Sequence, residues 1–329
     1  MSSLSFRSSQ CCTRPASRLR TLRVILLSLF VAINTHASDV APGRSTTAEK
    51  GRVEYIAGNA PIILSAPHGG RLKPTDVADR NKGVLLMDAN TDLLAEEIAK
   101  TFHQRTGQHA HVVICRLHRI KVDCNRALDD ATEGDQQAIA TWRAFHGFIE
   151  HARKTVTRNH GCGLLLDIHA HAHPIPRVEL GYAIRNNELK RPSDALEQLS
   201  VKSSIHILAA RSPTSFVEMI RGETGLGGLL QARGFDCIPS TKNPHAGNSK
   251  YFNGGYITRR YGQAGSSKIS AIQLECPFPG VRRTKENRSA FAKALTDAVI
   301  VYMKTHAGIN LGRPVTNKEP AKSKLPSVR

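Results

Sequence analysis

No C-x-x-C pair occurs among the seven cysteines of this 329-residue chain. Cys11 and Cys12 fall in the N-terminal segment, and the remaining five, Cys115, Cys124, Cys162, Cys237 and Cys276, are widely spaced and odd in number. A disulfide framework and a thiolate zinc site are thereby excluded as organising features, although one or two unassigned disulfides are compatible with export. Acid is absent from residues 1–37, which carry five arginines (Arg7, Arg14, Arg18, Arg20, Arg23), then the apolar run Val24 to Ile33, then Thr35-His36-Ala37. That run is too short to span a bilayer comfortably. Basic region, short apolar region and small residues is the secretory order, with a mitochondrial transit peptide as the runner-up because Ser and Arg are abundant. The expectation is an exported protein, periplasmic or secreted, with no stable membrane span after processing.

Also missing are internal repeats and the helix-turn-helix, RNA-recognition and aromatic-interleaved basic signatures of nucleic-acid binders. Loss of residues 1–37 removes five of the 46 basic residues and none of the 27 acidic ones, so the formal charge falls only from +19 to +14. That excess favours anionic partners. Part of it lies in the Lys-, Pro- and Ser-rich tail, which reads as disordered. Nucleic acid is not among the expected partners. The glycine cluster Gly222 to Gly228 lacks the Lys-Ser/Thr of a phosphate loop and reads as a turn and helix entry.

What is present is an alternation of strand and helix patterns. Apolar runs around Gly58-Asn59 predict a hairpin over Val53 to Ser65. Helical spacing covers Thr91 to Phe102, with Asp88 and Asn90 as available caps, then Gln137 to Val156, Ser193 to Leu199, Leu226 to Ala232 and Asn287 to Lys304. Strand patterns cover His111 to Cys115, Leu164 onward, Ile205 to Leu208 and Ile269 to Glu275. This predicts a three-layer αβα fold with a mixed central sheet. The division is signal segment 1–37, linker 38–50, a single α/β domain 51–311 and a basic tail 312–329.

Four of the apolar runs end in unusual polar residues: His68; Arg119 to Arg126; Asp167 and His169; and Glu275. The carboxyl ends of strands form the ligand crevice of open α/β sheets, so separate motifs can converge there. Two imidazoles and one carboxylate leave an open position on a tetrahedral Zn²⁺, where a water becomes acidic near neutral pH. A further carboxylate can carry its proton, and arginines can polarise a carbonyl or grip a carboxylate.

Together, "SAPHGG", "DANTDLLA", "HRIKVDCNR", "LLLDIHAH" and "IQLECP", in that order between Val53 and Arg283, resemble the N-formylglutamate amidohydrolase family. That family belongs with the zinc carboxypeptidases and aspartoacylases. The resemblance implies a phosphorylase/hydrolase-like zinc-peptidase architecture and a hydrolase with one Zn²⁺ per chain, acting on the amide of a small anionic N-acyl amino acid or peptide-like substrate. It implies His68 and His169 as metal ligands and Glu275 as general base and acid. It also implies Asn125 and Arg126 as the grip on a substrate carboxylate, with Arg119 orienting substrate or polarising its carbonyl. The carboxypeptidase pattern has a glutamate three positions after the first histidine, where this chain has Arg71. The acidic ligand must come from elsewhere: Asp88 of "DANTD", with Asp92 in reserve.

Each residue also has a plainer role. Asp167 suits a hydrogen bond to a ligand histidine, and Asp123 suits a network with Arg119 and Arg126. Asp88 could be a helix cap. If Asp167 to His173 is extended, its aspartate and three histidines share one face, but His171 and His173 are not expected as ligands; His171 is a candidate substrate contact. Tyr256 and Thr258, in "KYFNGGYITRRYG", are candidates for the pocket wall, against a glycine-rich hairpin with packed aromatics. Formylglutamate hydrolysis belongs to cytosolic histidine breakdown in that family, so export argues for an N-acyl amino acid or related amide more broadly. An exported metallopeptidase or cell-wall amidase is the alternative enzyme; a non-catalytic binder of anionic polymers is the alternative outside enzymes.

Overall fold

The computed structural model describes residues 40–263 and 268–312; the expected signal segment 1–37 and the tail from 313 lie outside the described residues. Among the described residues the strands are β1 (Ser45–Ala48), β2 (Val53–Ile56), β3 (Ile62–Ala66), β4 (His111–Cys115), β5 (Gly163–His171), β6 (Val178–Gly181), β7 (Cys237–Ile238) and β8 (Ile269–Pro277). They form one mixed sheet in the order β1-β2-β4-β3-β5-β8-β6-β7. The central β4, β3, β5 and β8 run parallel, whereas β2 and β6 lie antiparallel to β4 and β8.

Side-chain alternation in these strands builds two cores. Ile62, Leu64, Leu164, Leu166, Ile272 and Leu274 face one layer. It contains α1 (Thr91–Thr106), whose Leu94, Ile98 and Phe102 recur every fourth position on one stripe. Ile63, Val113, Leu165 and Ala271 face the other, under α2 (Gln136–His160) and α3 (Tyr256–Gly262). The first layer is completed by α4 (Lys285–Ala307), which packs on α1. Sequence-coded stops bound the long helices. Asp135 accepts the Ala138 amide at 2.8 Å to start α2, and left-handed glycines at 107, 161 and 308 end α1, α2 and α4.

The architecture is thus the three-layer αβα arrangement with a mixed sheet, reached by a different route from the one expected. β2 and β3 do not form a hairpin, because β4 inserts between them; the sheet is mixed through β2 and β6 instead. Gly58 lies against the backbone of residues 109–111, where a Cβ would collide. The segment Ile205 to Leu208 is not a strand: a short helix spans His206–Ala209. The expected linker 38–50 contributes β1, paired with β2. Five cysteines among the described residues are free and buried. No described helix is long and apolar enough to cross a membrane.

Candidate metal centre and active site

The second core gives way to polar residues toward the carboxyl ends of the parallel strands. Following Leu165 on β5, the same face presents Asp167 and His169; following Ala271 on β8, it presents Gln273 and Glu275. His169 and Glu275 are register partners across β5 and β8. His68 follows β3, and Asp88 precedes α1, whose N-cap is Asn90 rather than Asp88. The Asp88 main-chain carbonyl accepts from Thr91, which leaves its carboxylate to face the histidines. His68, Asp88, His169, Gln273 and Glu275 line one cavity of about 620 Å³.

Asp88 Oδ2 lies 3.3 Å from Nδ1 of both His68 and His169. It also accepts the Ala170 amide at 3.1 Å. The opposite nitrogens are held: His68 Nε2 is 2.6 Å from Asp123 Oδ1, and His169 Nε2 is 2.8 Å from Asp167 Oδ2. Asp167 is steadied in turn by Ser65, whose Oγ donates at 2.6 Å. Carboxylates behind metal-binding imidazoles fix the tautomer with the proton on the far nitrogen. Without a metal both rings hydrogen-bond the Asp88 oxygen through Nδ1; with the far nitrogens keeping their protons, the same Nδ1 lone pairs would be free for a cation. The separation also suits one: a tetrahedron with bonds of about 2.0 Å has edges of about 3.3 Å. Two imidazoles and a carboxylate therefore fit zinc in both donor type and spacing.

Electrostatics follow from this packing. Burial would raise Asp88, but hydrogen bonds from His169 and His68 hold it well below the usual carboxylate range. The same opposition, with His68 and Arg119 prevailing over burial, lowers Asp123. Burial would lower His169, yet Asp167, Asp88 and Glu275 together raise it well above the ordinary histidine value. Glu275 behaves oppositely to Asp88: burial pushes it up to about 8, despite the pull of His169, with Asp88, Glu179 and Asp167 adding to the rise. Its Oε1 accepts from Gln273 Nε2 at 2.8 Å, while Oε2 is buried without a partner among the described residues.

Several residues sit differently from expectation. Asp92 is turned away from the cavity and pairs with Arg71 at 2.8 Å and Arg116 at 3.6 Å, because it lies on the first turn of α1 rather than in the preceding loop. Tyr256 does not reach the pocket. It opens α3, where its hydroxyl accepts from Arg260 and its ring lies near Trp142 and His146. Thr258 is buried in that helix. Arg119 lines the cavity, but its Nε and Nη2 are both spent on Asp123, and Nη1 lies 3.5 Å from Asp88. Its guanidinium braces the carboxylates around His68 instead of presenting a free fork to a carbonyl. Arg126 is half exposed on the rim, 3.9 Å from Asp123. Asn125 is buried, its Oδ1 accepting the Ile257 amide at 2.8 Å and its Nδ2 lying 3.3 Å from His169.

His171 lines the cavity, but both ring nitrogens are occupied, Nε2 by the Arg177 carbonyl at 2.8 Å and Nδ1 by the His173 amide at 3.0 Å. It therefore offers substrate no free nitrogen. Its grouping with His173 and Glu179 is spatially compatible with a metal, but the same bonds leave His171 no lone pair to give. β5 ends at His171, so His173 lies beyond the strand.

Sequence reasoning passed over Gln273, Arg282 and the glycines before α3. Gln273 was findable, since period two places it on the Glu275 face. It bridges Glu275 to the Gly255 amide, which donates to its Oε1 at 2.6 Å. A Cβ at Gly255 would strike the Asn125 side chain, so that glycine lets the loop close over the site. Arg282 lines the cavity with its nitrogens on main-chain carbonyls of Cys276 and Ala89, which no local pattern foretells.

Comparison with known proteins bears on this arrangement. Residues 60–138 match the family model of N-formylglutamate amidohydrolase, a span that includes His68, Asp88, Asp123, Asn125 and Arg126. No curated protein matches. Among solved structures, the N-formylglutamate amidohydrolase of Ralstonia eutropha JMP134 is 12% identical, covering 82% of this chain and 100% of its own, at a TM-score of 0.48. A gene product of Agrobacterium tumefaciens is 14% identical, covering 76% and 94%, at 0.45. The succinylglutamate desuccinylase of Chromobacterium violaceum is 12% identical, covering 83% and 73%, at 0.37. The family model matches the resemblance over three of the five motifs, SAPHGG, DANTDLLA and HRIKVDCNR, which fall within residues 60–138.

Proposed function

We propose that this chain is a zinc-dependent amidohydrolase that cleaves the amide of a small N-acyl amino acid or a related anionic amide. One observation carries the reading: a single carboxylate oxygen of Asp88 lies 3.3 Å from the Nδ1 atoms of two histidines that are each anchored from behind by another carboxylate. Bound by His68, Asp88 and His169, zinc would supply a water that ionises near neutral pH and a Lewis acid for the acyl carbonyl.

The chain's own residues account for proton transfer and binding. Glu275 takes a proton at Oε2 and delivers it to the departing amine, while Gln273 occupies Oε1 and so leaves the exchange to the other oxygen. A carboxyl raised toward the working pH is suited to both halves of that exchange. Arg126 on the rim receives the carboxylate of the amino-acid half, with Asn125 fixing the wall behind it. Arg119 acts at one remove, holding Asp123 and through it the His68 ring. The basic, acid-free N-terminal segment supports export, which cell fractionation tests.

The test is elemental analysis of the purified protein beside a His68→Ala/His169→Ala double variant. Near-stoichiometric zinc in the parent and its loss from the variant is the expected result. Absence of metal from both after zinc has been supplied overturns the proposal.

A further inference from the structure

A second cavity, of about 420 Å³, adjoins the first and shares Ala172 and His173 with it. Arg177 lines this second cavity. Only 8% of the residue is exposed, and its Nε and Nη2 are buried without a partner among the described residues. A guanidinium so placed ordinarily has a carboxylate beside it, but among the described residues no ion pair joins it to the neighbouring Glu179. Its Oε1 accepts from His173 Nδ1 at 2.9 Å and its Oε2 from the Phe252 amide at 2.8 Å. Exposed Lys250 adds a second positive charge to the lining, which also includes Pro174 and the 44% exposed Ile175. Glu179 also lines the cavity, with both oxygens already hydrogen-bonded, so two cationic groups outnumber one carboxylate beside an apolar wall, which suits a short carbon chain ending in an anion.

Its position says which part of a substrate arrives there. In the sheet, β4 lies on one side of β3 and β5, and β6 lies beyond β8 on the other. Asn125 and Arg126 follow β4; Arg177 immediately precedes β6. An amide whose amino-acid carboxylate rests at Arg126 and whose carbonyl lies at the histidines directs its acyl group toward Arg177. A formyl group would leave the second cavity empty.

We propose that this second cavity is an acyl subsite selecting N-acyl amino acids whose acyl chain itself ends in a carboxylate, with Arg177 as the buried recognition group and Lys250 as its outer counter-charge. The proposal deepens the amide-hydrolysis reading and rests on it. The probes are an N-succinyl amino acid and its N-succinamoyl analogue, in which an amide replaces the terminal carboxylate, assayed with the zinc-supplied full chain. The parent is expected to favour the succinyl compound about 10- to 100-fold in kcat/KM, the range of a hydrogen bond to a charged group. Arg177→Met is expected to bring that ratio near one. Should this variant fail to fold, Lys250→Glu, at an exposed position, is expected to lower the ratio by placing repulsion in the lining. No preference in the parent, or a preference that survives both substitutions, overturns the proposal. If no acyl amino acid is cleaved at all, the amide reading fails separately, and calorimetry with free glutarate decides the subsite. Binding weakened by Lys250→Glu sustains it; absent or unaltered binding ends it.

Discussion

Replacing Glu275 by glutamine preserves the side chain's shape and removes its ability to ionise, and the two consequences run in opposite directions. Catalysis should fall by about 10²- to 10⁴-fold in kcat/KM, the usual share of general acid-base transfer, because the oxygen that carries the proton becomes an amide nitrogen. Stability should behave otherwise. In the metal-free protein burial raises this carboxyl from 4.5 to about 8, so between those values the folded state binds the proton and the unfolded state does not. The sign follows: the contribution is fully present below about pH 4.5 and is lost as pH rises through about 8. Each pKa unit is about 1.36 kcal/mol, so ionising Glu275 in place costs the fold about 5 kcal/mol by pH 9. Glutamine carries no such cost. Urea unfolding of metal-free parent and variant at pH 4, 7 and 9 should show a stability difference that moves in the variant's favour by about 3 kcal/mol at pH 7 and about 5 kcal/mol at pH 9, relative to pH 4. A difference independent of pH would refute the buried-carboxyl argument, and a loss of less than tenfold in kcat/KM would remove Glu275 from proton transfer.

The other expectations concern the groups behind the site. Asp123→Asn and Asp167→Asn leave the proposed ligands in place but weaken the anchors behind His68 and His169; each should lower zinc affinity by about 10- to 100-fold, read by competition with a chelator. Unchanged affinity in both would show that the carboxylates serve the fold alone. His146 is held neutral within the second core by the Cys124 carbonyl and the Tyr261 hydroxyl, and burial lowers its pKa from 6.5 to about 3. Its contribution is therefore present above pH 6.5 and lost on acidification toward pH 3, so His146→Gln should flatten the stability profile by about 3 kcal/mol between pH 7 and 4. Parallel acid limbs for parent and variant in urea titrations would contradict that.

Legibility in the sequence tracked how local the determinant was. The long helices announced themselves through apolar spacing, as with Gln137 to Val156 within α2, and one of the two expected caps, Asn90, does begin α1. The face shared by Asp167 and His169 followed from strand period, which depends only on neighbouring residues. Strand order did not. Val53 to Ser65 has the local look of a hairpin, yet β4, nearly fifty residues further along, separates its two strands, because pairing energy depends on the whole sheet. Tyr256 and Asp92 were misplaced for a related reason: each lies in a motif, but the helix that begins there turns the side chain away from the cavity.

By itself the sequence determined the residue types and the strand ends at which they gather, since alternation and capping are local and His, Asp and Glu carry their chemistry wherever they sit. Tertiary structure decided which carboxylate does what. Asp88, Asp123, Asp167 and Glu275 belong to the same narrow chemical class, and only their burial and partners separate them. The first faces two imidazoles, the next two anchor those rings from behind, and the last keeps one oxygen without a partner among the described residues. The unpartnered Arg177 was equally invisible, because the absence of a counter-charge is a property of three-dimensional surroundings and is written in no single stretch of chain.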